Sequence, residues 1–178
     1  MLILVVGPSG AGKDTLLNAA KAALSDDPRI RFVRRVITRP AEAGGEDHEP
    51  INADEFDHRD HALRWEAHGL HYGIPADIAD DIARGVTVVA NVSRSVIRQA
   101  ADRYPTRVIE ITAPPAVLAQ RLAARGREDA ADIAARLART VALPADIDSE
   151  TVLNAGTPQE GIDRFLAALT RAMADARQ

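Results

Sequence analysis

Cysteine is absent from the 178 residues. That excludes a disulfide scaffold, a thiolate zinc ribbon and a cysteine nucleophile, and it is compatible with a reducing compartment. No hydrophobic run is long. Met1–Val6 is apolar, but Gly7-Pro8 ends it, far short of the ~20 residues of a spanning helix. No basic region precedes that run, so no secretory signal is expected. Positive charge is not in excess either. The formal net charge is −4, which argues against bulk nucleic-acid or anionic-membrane binding, so any polyanion site must be a local concentration of Arg and Lys. Internal repeats and low-complexity linkers are also missing. What remains is 46% hydrophobic and 27% charged, ordinary globular composition that excludes disorder. One soluble, cytoplasmic domain with a sizeable core is the expectation.

Strand-like and helical patterns alternate. Leu2–Val6 predicts a strand buried on both faces. Lys13–Leu24 carries Leu16, Leu17, Ala20 and Leu24 at helical spacing. Ile30–Ile37 predicts a second strand and Pro40–Pro50 a loop. Asn52 and Glu55 form a capping-box pattern. Leu63–Tyr72 is strand-like and holds the single Trp. Ala76–Arg84 predicts a helix stopped by Gly85. Val86–Ala90, Val108–Ile111 and Thr151–Leu153 predict further strands. Ser93 caps a helix running to Ala101. Pro115–Arg125, Ile133–Thr140 and Ile162–Met173 predict three more helices, the last opened by the Thr157-Pro158-Gln159-Glu160 capping signal. The alternation predicts an α/β fold with a five-stranded parallel sheet flanked by helices.

The strongest chemical signal is Gly7-Pro8-Ser9-Gly10-Ala11-Gly12-Lys13, set between the first strand and the first helix. Glycines there let backbone N–H groups turn inward around a phosphate, the helix N-terminus adds partial positive charge, and Lys13 reaches the terminal phosphates. The usual hydroxyl after the lysine is replaced by Asp14, with Thr15 next. Asp14 either touches Mg2+, directly or through water, or favours the first helical turn through the dipole. A second cationic group, Arg121, Arg125, Arg127 and Arg136, surrounds Gly126. Arg121 and Arg125 share a helix face. With a phosphate loop upstream, this group suits a lid that neutralises charge on a transferred phosphoryl group. The five histidines come without an H-E-x-x-H pattern and read as surface or acceptor-site residues rather than a transition-metal site.

These residues resemble the guanylate-kinase branch of the P-loop kinases. Gly7–Lys13 matches its loop. Thr38-Arg39-Pro40 with Gly45-Glu46-Asp47 is similar to its acceptor-phosphate region. Trp65–Gly69 with His71-Tyr72-Gly73 resembles its aromatic segment, and Arg121, Arg125 and Arg136 fit its lid. Asn154 resembles the Asn that opens its adenine loop. The resemblance implies a P-loop fold with a core over 1–37, 86–120 and 141–178, an acceptor region over 38–85 and a lid over 121–140. It implies ATP and Mg2+ as cofactors, and it leaves a homodimer open.

The acceptor region departs from guanylate recognition. Arg64, Ile74, Glu42, His48 and Asn91 stand where that family places groups that read guanine or its phosphate. Each change removes a partner that guanylate needs. The Thr38–His48 and His71–Pro75 stretches resemble instead the ribose 1,5-bisphosphate phosphokinases of phosphonate metabolism. This second resemblance implies transfer of a phosphoryl group from ATP to ribose 1,5-bisphosphate. It assigns Lys13, Arg125 and Arg136 to the transferred group. Arg35, Arg39, Glu46, Asp47, Tyr72, Asn91, Ser93 and Arg94 go to the sugar phosphate. The nucleophile is an already anionic phosphate oxygen, so no general base is required. Two other readings stay open: a nucleoside monophosphate kinase with altered base preference, and a non-catalytic interaction module. The retained lysine and lid arginines disfavour the second.

Overall fold

The computed structural model describes residues 1–41, 46–124 and 142–175. The apolar run after Met1 forms β1, Leu2–Val6, with every residue buried. Helix α1, Lys13–Ala23, follows it and buries Leu16 and Ala20. Next come β2 (Ile30–Phe32), β3 (Arg35–Ile37), β4 (His48–Pro50), α2 (Ala53–His58), β5 (His61–Ala67), β6 (Leu70–Pro75), α3 (Ile78–Ala83) and β7 (Thr87–Asn91). A 3-10 turn, Arg94–Val96, leads into α4 (Ile97–Ala101). Then follow β8 (Thr106–Thr112), α5 (Pro115–Ala124), β9 (Ser149–Leu153) and α6 (Pro158–Asp175).

The expected five-stranded parallel sheet is present, in the order β2-β7-β1-β8-β9. β1 and β7 are buried throughout, filled largely by β-branched and leucine side chains on both faces. Two compact units make up the chain: Met1–Leu4 with Asp26–Arg107, and Val5–Ser25 with Val108–Gln178. In the second, α6 packs on α1 and β9, burying Phe165, Ala168, Leu169 and Ala172. Its N-terminus carries the expected reciprocal cap. The Thr157 N–H donates to Glu160 Oε2 at 2.7 Å and the Glu160 N–H to Thr157 Oγ1 at 3.3 Å.

A second sheet, in the order β4-β3-β6-β5, departs from the sequence expectation. The strand expected over Ile30–Ile37 is two strands. Phe32 still pairs with Val89 of β7, whereas Val36 and Ile37 pair with Gly73 and Tyr72 of β6. Part of the expected Pro40–Pro50 loop is β4, held by pairing with β3 rather than by an apolar pattern of its own. The single strand expected over Leu63–Tyr72 is a β5–β6 hairpin, turned at His68 (φ 54°) and Gly69 (φ 71°). Two successive positive φ values match the right-handed twist of paired strands. The helix expected over Ile133–Thr140 lies outside the described residues. No helix among the described residues is long and apolar enough to cross a membrane.

Candidate active site

The turn between β1 and α1 is shaped by close contacts. A Cβ at Gly7 would overlap the Ile111 carbonyl oxygen. Gly12 has φ 89° and ends the turn as the N-cap of α1. A Cβ on it would lie 2.6 Å from Asn154 Nδ2. The N-cap residue, Gly12, offers no side-chain cap to α1, and amides at a helix N-terminus suit an anionic acceptor. The Lys13 ammonium donates to the carbonyls of Gly7 at 2.8 Å and Pro8 at 3.0 Å, which sets it over the loop. Asp14 and Thr15 are exposed at the start of α1. Their carboxylate and hydroxyl are hard oxygen donors of the kind Mg2+ takes beside phosphates.

Two elements brace this loop. From α5, Arg121 Nη1 donates to the Gly10 carbonyl at 3.4 Å, and the Leu122 side chain backs Gly10. After β9, buried Asn154 donates from Nδ2 to the Ala11 carbonyl at 2.8 Å. Gly161, a helix-interior glycine that sequence reasoning passed over, lies against the Asn154 amide oxygen. Its signal was its presence inside an otherwise good helical pattern. Arg125 and Arg136, and with them most of the expected lid, lie outside the described residues.

The expected acceptor residues gather in part, all within the first unit. Arg35 on β3 pairs through Nε and Nη2 with the two carboxylate oxygens of Glu46, its Nε standing 2.9 Å from Oε2. Both side chains are mostly buried. The same guanidinium lies 5.3 Å from the Tyr72 ring centroid, and Tyr72 stacks on Trp65 at 5.4 Å. Cation–π attraction and the ion pair together fix its orientation. Arg39 reaches His48 at 3.4 Å, and His48 is itself held by the Glu46 and Arg39 carbonyls. Arg39 Nε is buried without a hydrogen-bond partner among the described residues. Thr38, Arg39, Asn52 and Glu55 line a cavity of about 450 Å³.

Other expected residues make contacts of their own. Asp47 pairs with exposed Arg34 at 2.8 Å. Asn91 ends β7 as a buried residue. Ser93 Oγ accepts from the Ser95 N–H at 3.3 Å and so caps the turn that carries Arg94. Arg64 pairs with Asp57 at 2.9 Å. His61 stacks on Phe56 at 4.2 Å and meets the Phe56 carbonyl at 3.1 Å. Its burial holds the imidazole pKa below the usual 6.5, a supporting role in the hairpin. Sequence reasoning took Glu55 only as a helix-capping residue, because nothing local to it signals a cavity.

No protein-family model matches the chain. It is 54% identical over 170 residues to ribose 1,5-bisphosphate phosphokinase PhnN of Acidiphilium cryptum, covering 96% of this chain and 92% of that protein. The chain belongs to the ribose 1,5-bisphosphate phosphokinase family. Some members of that family are longer. A bifunctional ribose 1,5-bisphosphokinase-thymidine phosphorylase of Azorhizobium caulinodans is 50% identical over 99% of this chain, which spans 26% of that protein. The phosphokinase fold is also that of a guanylate kinase from Anaplasma phagocytophilum. That structure has a TM-score of 0.63 at 18% identity and is matched over 97% of this chain and 86% of its own.

Proposed function

We propose that this chain transfers the γ-phosphoryl group of ATP to the 1-phosphate of ribose 1,5-bisphosphate, giving ADP and 5-phosphoribosyl 1-diphosphate. The reading is carried by 54% identity over nearly the whole of a named ribose 1,5-bisphosphate phosphokinase, joined to an intact phosphate loop with Lys13 above it. It puts the product in the supply of activated ribose during phosphonate breakdown.

In this reaction one P–O bond breaks, between the γ-phosphorus and the β,γ-bridging oxygen. One forms, between that phosphorus and an oxygen of the 1-phosphate. The attacking oxygen already carries negative charge, so the protein's work is to position two anions and offset their repulsion. In our reading the amides of Gly7–Gly12 and Lys13 hold the triphosphate of ATP. Asp14 or Thr15 would hold Mg2+, which would supply charge neutralisation at the phosphates. The family resemblance assigns Arg125 and Arg136 to the transferred group. On the acceptor side, Arg39, whose Nε has no partner among the described residues, meets a phosphate, and Arg35 at the Tyr72 ring meets the other. Carboxylates beside these arginines suit sugar hydroxyls. Domain roles follow: residues 38–85 bind the acceptor and 121–140 close as the lid.

The competing reading, a nucleoside monophosphate kinase, draws support from the guanylate-kinase-like fold. At 18% identity that likeness concerns the fold alone. Phosphorus NMR of the product from ATP and ribose 1,5-bisphosphate decides between them. A new pair of diphosphate doublets, one coupled to the anomeric proton, is expected. Their absence, with turnover of a nucleoside monophosphate instead, refutes the proposal.

A further inference from the structure

Asn154 follows the last residue of β9, and its backbone N–H is fixed to the Thr112 carbonyl at 2.7 Å. Its side chain occupies a slot between two glycines. A Cβ on Gly12 would lie 2.6 Å from Nδ2, and a Cβ on Gly161 would overlap Oδ1. The residue is 6% exposed, and Nδ2 donates to the Ala11 carbonyl at 2.8 Å. The Ala11 carbonyl and the Gly12 N–H belong to one planar peptide and point in opposite directions. A donor that holds the carbonyl therefore aims the N–H the other way. That peptide also needs holding. Gly12, at φ 89°, belongs to the one residue type for which alternative backbone conformations are nearly equal in energy. A flipped peptide would turn a carbonyl oxygen, rather than an N–H, toward a bound phosphate.

We propose that Asn154 is a positioning residue of the phosphate loop, locking the Ala11–Gly12 peptide so that its N–H faces the triphosphate. This rests on the reading of Gly7–Lys13 as the ATP phosphate site. It differs from the adenine-loop role that the family resemblance implies, because the amide nitrogen donates to the Ala11 carbonyl. Gly161 is part of the same device, since α6 must lack a side chain at the point where the amide lies.

Inorganic tripolyphosphate separates the two roles, since it has neither base nor sugar. The full chain is titrated calorimetrically with tripolyphosphate and with ATP at fixed Mg2+, well below each variant's melting temperature. Asn154→Asp keeps the shape but removes the donor, and Asn154→Ala removes the group. Both are expected to weaken tripolyphosphate and ATP by the same factor, about tenfold or more, as for loss of a hydrogen bond in a charged site. Wild-type affinity for tripolyphosphate in the variants overturns the proposal, whether ATP affinity falls (a base contact) or only the melting temperature does (a merely structural role). If the Asn154 variants do not fold, Gly161→Ala displaces the amide while keeping it, and the same parallel loss is required. A wild-type chain that binds neither ligand refutes the phosphate-loop reading itself.

Discussion

The Lys13 ammonium donates to the carbonyls of Gly7 and Pro8. Those bonds lie on the loop's own backbone. Lys13→Ala should therefore leave the melting temperature within a few degrees of wild type while lowering kcat by about 10²–10³, as for other groups that stabilise transition-state charge. Steady-state kinetics beside a thermal melt check this, and near-normal turnover would remove Lys13 from the mechanism. Arg39 poses the complementary case. A buried guanidinium N–H without a partner is costly, and Arg39 Nε is one among the described residues. An anionic acceptor would satisfy it. Arg39→Lys keeps the charge but loses the fork geometry. We expect the acceptor KM to rise by about tenfold with the ATP KM unchanged. Equal rises in both would place Arg39 outside the acceptor site.

At the scale of elements, the first unit is tied by charge as well as by its sheets. Arg31 on β2 pairs with Asp77 at 3.0 Å and with Asp81 on α3, and Arg84 pairs with Asp81 as well. The hydrogen bond from Arg31 holds the Asp81 carboxyl below the usual 3.8. A carboxyl depressed in the folded state adds stability above its unfolded pKa, and loses it as pH falls through the lower folded value. Asp81→Asn should thus cost about 1–2 kcal/mol near neutrality. The gap in urea midpoint between variant and wild type should close below about pH 4. A gap that stays constant into stronger acid would show that this carboxylate does not join β2 to α3. The elements also differ in how far the sequence disclosed them. The β1 run, the phosphate loop and the Thr157–Glu160 cap were legible because each is local: the apolar run, the glycine spacing and the capping pair are all adjacent in the chain. The second sheet was not, because β3 and β4 are short and exist through their partners. His48–Pro50 has no apolar period, and only its pairing with Arg35–Ile37 makes it a strand. The His68-Gly69 turn carried a weak sign, one glycine, and the Arg35–Glu46–Tyr72 cluster depends on that hairpin's register. The loop residues of the candidate site were thus readable, while the setting of Arg35 and the tie from Asn154 to Ala11, 143 residues away, arise only from tertiary packing.

For the whole molecule, the division of residues between the two units carries a prediction of its own. Arg121, Asn154 and Gly161, which brace the phosphate loop, belong to the unit formed by Val5–Ser25 and Val108–Gln178. The proposed acceptor group of Arg35, Arg39, Glu46 and Tyr72 belongs wholly to the other. A ligand that binds the native state stabilises it by about 2.7 kcal/mol at a hundredfold excess over Kd. That stabilisation slows hydrogen exchange wherever the opening reaction breaks the binding site. If the units open separately, tripolyphosphate should slow exchange in peptides covering residues 5–25 and 108–124. Ribose 1,5-bisphosphate should slow it over residues 35–41 and 61–75. If they open only together, either ligand slows the slowest amides of both. Exchange mass spectrometry with each ligand alone reads the difference, and the separate pattern is the one expected. Each unit has its own buried apolar cluster, around Phe56, Leu63 and Ile74 in one and around Leu16, Phe165 and Leu169 in the other, so each opening has its own core to break. Protection that spread evenly whichever ligand was added would mean that the two clusters melt as one cooperative structure. Donor and acceptor would then each stabilise the other's binding residues before any phosphoryl group moves.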